Sequence, residues 1–249
     1  MKNKQFKEMA ICGFVAVKEL EKNTPEVIRK LYFNQEKAPL FAGLARKMAK
    51  RKGIYNLVTD EELRKISGSV HHQGVVAMIP YPEIPRLSSV DVEEWIANKE
   101  NILLLDRVGN ANNLGAIVRS AAFFGIKNIV IPLHEAQASI TTSSYRVAQG
   151  GMEYVRLYTA QSLELFLTDI AGKIIRIGTD VHGTLPLTSL SEKTEKPKLV
   201  ILGNEEEGIS EEIKKLCDNL VTIPSPVDNI ESLNVAQASS IILYELSKN

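Results

Sequence analysis

Several things are scarce in this chain of 249 residues, and each scarcity closes off a class of function. Two cysteines, Cys12 and Cys217, are too few for a disulfide framework and suit a reducing compartment, so a cytoplasmic protein is expected. The four histidines form no H-x-x-x-H pair and no cluster with cysteine, and the adjacent His71 and His72 lack metal-ligand spacing, so no metal is expected. Net charge is also lacking. Thirty basic residues cancel thirty acidic ones, so any footprint for a polyanion has to be local. No apolar run approaches bilayer-spanning length, and no membrane partner is expected. The opening "MKNKQFKEMAICGFVAV" puts three lysines before an apolar run, but Glu8 interrupts them and no small-residue cleavage site follows. It reads as a first buried element and not as a targeting segment. The dinucleotide fingerprint, the Walker A loop and the G-x-S-x-G elbow are all absent, which argues against NAD, ATP and serine-hydrolase chemistry.

What the chain does have is an ordinary globular composition, 44% hydrophobic and 24% charged, enough for one large or two modest domains. Residues 1–80 read as a small α/β domain, with "VIRKLYF" and "GVVAMIP" as strands and "LFAGLARKMAK" and "TDEELRKI" as helices. Residues 81–97 begin in a proline-rich stretch and read as a linker. From 98 to 249, strand-like runs ("NILLLD", "NIVIP", "EYVRLY", "KIIRIGTD", "KLVILG", "LVTIP") alternate with helical ones, as in a mostly parallel sheet covered on both faces. Ligands of such sheets sit at the carboxyl ends of strands. That points to "DRVGNANNLG", "GNEEEGIS" and "IPSPVDNIESLN".

Between the first of these loops and Gly125 lies "NNLGAIVRSAAFFG". Leu114, Ile117, Val118 and Ala121 follow the spacing of a buried helical face, Asn113 is a plausible N-cap, and Gly125 stands where a helix stops. Arg119 lies off the buried stripe, four residues after Gly115. Helical side chains lean toward the N-terminus, so its guanidinium can reach back over Gly115 toward the preceding loop. A plain solvated arginine satisfies the same pattern. The segment "RKMAKRK" carries Arg46, Lys47, Lys50, Arg51 and Lys52 and is either a solvated helix end or a contact for phosphates. "GNEEEG" can be a turn with an acidic helix flank, and "ESLN" a helix start with Ser232 as its cap.

Taken in order, the three segments resemble the motifs of the TrmH/SpoU family of SPOUT-superfamily methyltransferases. "NNLGAIVRSAAFFG" looks like N-x-G-x-x-x-R-[ST]-A-x-x-F-G. "LVILGNEEEGIS" supplies Gly203, Glu205 and Gly208 of the second motif, and "IPSPVDNIESLNVAQASSIILYE" contains the Ser-Leu-Asn-Val core of the third. The stretch from "ICGFVAVKELEKN" through "HHQGVVA" is similar to the small substrate-binding domain often fused to these enzymes. Asn110-Ala111 stand where the family usually has Asp-Pro, and Pro226 where a glycine is frequent.

The resemblance implies S-adenosylmethionine-dependent methylation of a ribose 2'-hydroxyl in RNA, with ribosomal RNA preferred. The alternatives are a tRNA methyltransferase and a non-catalytic RNA-binding or ribosome-assembly factor on the same fold. It implies a C-terminal parallel sheet with a trefoil knot, a rare exception to the rule against knots, and a homodimer. By position, Leu202, Gly203, Ile223, Pro224, Ser232 and Leu233 would hold the cofactor. Asn113, Arg119, Glu205, Ser232 and Asn234 would line the reaction centre, and the 46–52 cluster would meet RNA. The small residues of "VAQASS" would permit close helix packing, either between subunits or within one.

Overall fold

The computed structural model describes residues 8–226 and 232–248. The N-terminal tract of lysines and part of the third-motif loop fall outside them, and with that loop part of the path on which the expected knot depends. In chain order the first elements are β1 (Glu8–Cys12), α1 (Phe14–Asn23), β2 (Lys30–Phe33), α2 (Ala38–Lys50), β3 (Ile54–Leu57), α3 (Asp60–Ser67) and β4 (Val75–Pro80). Next come α4 (Ser89–Ala97), β5 (Ile102–Leu105), α5 (Ala111–Phe123), β6 (Asn128–Pro132), α6 (Thr142–Ala148), β7 (Arg156–Ala160) and α7 (Leu163–Asp169). The last are β8 (Ile175–Thr179), β9 (Leu185–Pro186), β10 (Lys198–Leu202), α8 (Glu211–Lys214), β11 (Asn219–Thr222) and α9 (Val235–Leu246).

These elements form two compact units. One runs to Glu83 and also takes in Ile140–Glu153; the other combines Ile84–Ser139 with the chain from Tyr154 onward. The sequence expectation of a contiguous domain from residue 98 differs here, because α6 packs with β1 of the first unit. Its start is a capping box in which Thr141 Oγ1 accepts from Ser144 N. The expected linker differs too, since residues 89–97 form α4. Ser88 and Asp91 cap it reciprocally, and its own Trp95 is fully buried.

The first unit holds a four-stranded sheet in the order β1-β4-β2-β3, antiparallel except for the β2–β3 pair. Phe33 stacks on Phe41 of α2, and Leu31 and Leu44 are fully buried; Leu63 of α3 packs with Cys12 and Val76. β3, missed in the sequence, is an edge strand with all four residues exposed.

The second unit holds a seven-stranded sheet in the order β7-β6-β5-β10-β8-β11-β9, and every pair in it is parallel. The expected α/β architecture is borne out. Every residue of β5 and β10 is buried, so both sheet faces are covered, as the uninterrupted apolar runs required. Ile102, Leu104, Leu199 and Ile201 face a core with Trp95, Phe166 and Ile213, while α5 buries Leu114, Ile117, Val118 and Ala121. Because the strands are parallel, the loops that follow β5, β8, β10 and β11 all emerge at one edge of the sheet.

Candidate active site

The loop after β10 is built to be rigid. Asn204 and Gly208 exchange backbone hydrogen bonds at 3.0 Å each, and Gly208 sits at φ +69°. This turn folds directly over Gly203, where a Cβ would lie 2.1 Å from the Gly208 carbonyl carbon, so only glycine fits. The Asn204 carboxamide closes the turn from inside. Its Oδ1 accepts from Glu206 N (2.8 Å) and Glu207 N (3.1 Å), and its Nδ2 donates to the Arg107 carbonyl at 3.0 Å.

Glu205 leaves this turn toward α5. Asn113 Nδ2 donates to its Oε1 at 2.7 Å, and Gly109 N donates to its Oε2 at 3.4 Å. Asn113 Oδ1 in turn accepts from Asn234 Nδ2 at 3.3 Å. A single hydrogen-bonded chain therefore joins one residue from each of the three sequence segments.

Two capping expectations are corrected here. Asn110, not Asn113, caps α5: its backbone is extended and its Oδ1 accepts from Asn112 N at 2.8 Å. Asn113 lies in the first helical turn, which leaves its carboxamide available to Glu205. Asn110-Ala111 thus serve as N-cap and first helical residue, positions at which Asp-Pro would do the same work. Likewise Asn234, not Ser232, caps α9, accepting from Ala236 N at 2.9 Å. Ser232 is exposed and makes no hydrogen bond among the described residues. The run "VAQASS" packs within the chain, with Ser239 buried and Ser240 Oγ 2.8 Å from Ser120 Oγ of α5.

Arg119 is exposed on α5, on the face it shares with Gly115 and the 82% exposed Phe123, and its side chain makes no hydrogen bond or ion pair among the described residues. Of the expected cofactor-contacting residues, Leu202 and Gly203 are buried, Ile223 is half-buried, and Pro224 and Leu233 are exposed. The N–H and C=O of Gly203 and of Ile223 have no partner among the described residues. Buried main chain ordinarily finds a partner, so the ends of β10 and β11 suit a ligand read through backbone hydrogen bonds. The loop after β8, missed in the sequence, emerges at the same edge. There Gly183 lies against the backbone of Val221 with no room for a Cβ, and Asp180 is ion-paired with Lys214 at 2.6 Å.

In the first unit, Arg46, Lys47, Lys50, Arg51 and Lys52 are all exposed, yet they are not equivalent. Arg51 donates to the carbonyls of Pro25 and Ile28, and Arg46 to Ala42 O of its own helix. The side chains of Lys47, Lys50 and Lys52 make no hydrogen bond or ion pair among the described residues.

The profile of the SpoU rRNA Methylase family matches residues 100–244, the span that holds the whole hydrogen-bonded chain. The chain belongs to the SpoU rRNA methylase family. The resemblance read from the three segments is borne out. A second profile, described as RNA 2'-O ribose methyltransferase substrate binding, matches residues 10–85 of this SpoU-family chain. A 23S rRNA (guanosine-2'-O-)-methyltransferase RlmB of Acinetobacter baylyi is 32% identical over 192 residues, covering 74% of each chain. An uncharacterized tRNA/rRNA methyltransferase YfiF of Escherichia coli is 29% identical, covering 98% of this chain and 69% of the relative. Among solved structures, the SpoU methyltransferase AviRb of Streptomyces viridochromogenes aligns with a TM-score of 0.74 at 23% identity, covering 98% of this chain and 91% of that one. An rRNA methyltransferase of Sinorhizobium meliloti aligns with a TM-score of 0.76 at 22% identity, covering 98% and 88%.

Proposed function

We propose that this SpoU-family chain transfers a methyl group from S-adenosylmethionine to a ribose 2'-hydroxyl of ribosomal RNA. The observation that carries the reading is the chain of hydrogen bonds Asn234–Asn113–Glu205, which gathers three sequence segments at the carboxyl edge of the parallel sheet. Several relatives named as 23S rRNA methyltransferases support ribosomal RNA over tRNA.

S-adenosylmethionine, when bound, supplies an electrophilic methyl group on a sulfonium, and the reaction needs no redox step. The protein's tasks are placement and stabilisation of a poor nucleophile. In this reading the main chain of Gly203 and Ile223, with Leu202, Pro224, Ser232 and Leu233 around them, holds the cofactor. Glu205 fixes the Asn113 carboxamide, and Asn113 and Asn234 orient the ribose. Arg119 brings a planar cation to the reaction centre. It would stabilise the negative charge that develops on the 2'-oxygen as the hydroxyl proton passes to solvent and the methyl group leaves the sulfonium, which departs as a neutral thioether. Lys47, Lys50 and Lys52 contact RNA phosphates.

The reading includes a cytosolic homodimer with the family's knot. An apolar patch on α5 and α9 supports the second copy: Phe123 is exposed, Phe124 lies 6.1 Å from the Tyr244 ring, and Tyr244 is 54% exposed. The test is incubation of purified protein with S-adenosylmethionine and unmodified rRNA or tRNA, followed by ribose-methylation mapping. One new 2'-O-methyl position in rRNA is the expected result. Methylation of tRNA alone would move the substrate, and absence of S-adenosylmethionine binding by calorimetry would remove the enzymatic reading.

A further inference from the structure

The loop between β5 and α5 contains an arginine that neither the three motifs nor the proposed chemistry uses. Arg107 has φ +60°, a left-handed conformation that glycine adopts freely and a longer side chain adopts at a cost. A side chain held there against its backbone preference points to a use for that side chain. The guanidinium is engaged on both sides. Nε and Nη2 reach Asp106 Oδ1 and Oδ2 at 3.0 and 3.4 Å, and Nη1 reaches Glu207 Oε2 at 2.5 Å. The Arg107 carbonyl accepts from Asn204, and the buried Asp106 carboxylate also accepts from Ser210 N at 2.9 Å. The dipeptide Asp106-Arg107 therefore grips the turn after β10 at its start, its middle and its end, through Asn204, Glu207 and Ser210.

Glu205 lies inside that grip, one residue after the first point held and two before the second. Its carboxylate makes its two contacts, Asn113 Nδ2 and Gly109 N, on the side where the gripping loop continues into α5. We infer that Asp106-Arg107 is a clasp between the first and second motifs, and that Arg107 is a positioning residue which sets Glu205, and through it the Asn113 carboxamide, for methyl transfer. This inference rests on the proposed reaction for its kinetic consequence but not for its geometry. A charge-assisted, two-sided guanidinium contact suits the task, because its planar fork fixes direction as well as distance. Lysine would keep the charge and lose the direction.

The backbone conformation makes the test unusually clean. Arg107→Gly removes the guanidinium arm to Asp106 and Glu207, leaves the grips made by the Arg107 carbonyl and the Asp106 carboxylate, and relieves the positive φ, so the fold should survive. If Arg107 serves only the fold, Arg107→Gly lowers stability and leaves kcat and the Asn113 resonance unchanged. If it is a positioning residue, kcat falls by about tenfold or more while the Kd for S-adenosylmethionine stays within about twofold, because small displacements at a reaction centre cost rate. The side-chain amide resonance of Asn113, followed by NMR without any ligand, should shift in the same variant. Glu207→Gln cuts one arm from an exposed carboxylate and should produce a smaller change in the same direction. The double variant should be no worse than Arg107→Gly, since both act through one contact. Arg107→Lys should fail to restore kcat. Wild-type turnover by Arg107→Gly, or a lowered kcat with the Asn113 resonance unmoved, would overturn the inference. Should wild-type protein transfer no methyl group, the proposed reaction fails, and the Asn113 resonance still decides whether the clasp exists.

Discussion

Arg107 and Arg119 are twelve residues apart, one in the loop before α5 and one on its exposed face, and their surroundings differ in every respect. Arg107 has carboxylates on two sides, and those hydrogen bonds, Asp106 first and Glu207 second, push its pKa above the ordinary guanidinium value. Arg119 has no carboxylate within ion-pair distance among the described residues. A cation already paired with protein has little left to offer a substrate, whereas an unpaired one on a surface helix adds nothing to folding. The same contrast recurs in the first unit, where Arg51 is committed to two carbonyls while Lys47, Lys50 and Lys52 are not. The lesson is that partners, more than residue type, separate structural cations from those available for RNA.

The largest expected effect breaks the comparison at Arg119. Arg119→Ala should lower methyl transfer by about 10²–10³-fold, the usual loss when one stabiliser of developing charge is removed. Thermal stability should stay within about 0.5 kcal/mol, as for any unpaired surface side chain. Paired thermal melts and single-turnover rates check both halves, and a wild-type rate would return Arg119 to the solvent. Arg119→Lys sharpens the result: failure of lysine at every pH supports charge stabilisation by the planar fork, and rescue that rises along a lysine titration supports proton acceptance.

Next comes Gly203, where the opposite split is expected. A methyl group there collides with backbone, so Gly203→Ala should destabilise by about 1–3 kcal/mol, as overpacking does, and should weaken S-adenosylmethionine binding as well. Denaturant melts and calorimetry measure the two, and normal stability would show that the turn can shift.

A smaller effect is expected from the basic cluster. Replacing Lys47, Lys50 and Lys52 with Gln should lower RNA affinity and reduce the slope of log affinity against log salt by about 0.7–0.9 per lost contact. Replacing Arg51 alone should instead lower stability, because it bonds two carbonyls. If the salt slope is identical in the triple variant, the cluster is only a solvated helix end.

The smallest effect concerns a pair at the amino ends of β8 and β11, the edge of the sheet opposite this chemistry. Hydrogen bonds from Arg176 hold the Asp218 carboxyl below the usual carboxylate range. A depressed folded-state value means the contribution to stability is complete above the unfolded value, near 3.9, and is lost as pH falls through the folded one. Asp218→Asn should therefore flatten the acid limb of Tm against pH below about 4, without touching neutral-pH turnover. The carboxylate is 38% exposed, so the change should be modest.

The amino-acid sequence by itself determined the parallel sheet, because unbroken apolar strands such as "NILLLD" and "KLVILG" can be buried only between two helical layers. It determined the buried face of α5, where each of Leu114, Ile117, Val118 and Ala121 is fully covered. The three motifs also made the family and most of the candidate site legible. Less visible signals were present at α4 and α6, whose capping boxes at Ser88 and Thr141 are short local patterns set in proline-rich or polar surroundings. Tertiary structure alone decided the rest. Neither periodicity nor spacing could place Ile140–Glu153 with the first unit, since that choice depends on which surface the segment finds after the chain has collapsed. Asn110 and Asn113 are chemically the same, so only the path of the turn after β10 could make one a helix cap and give the other to Glu205. Arg107 looked like any loop arginine; its clasp exists because residues a hundred positions apart meet where two parallel strands end side by side.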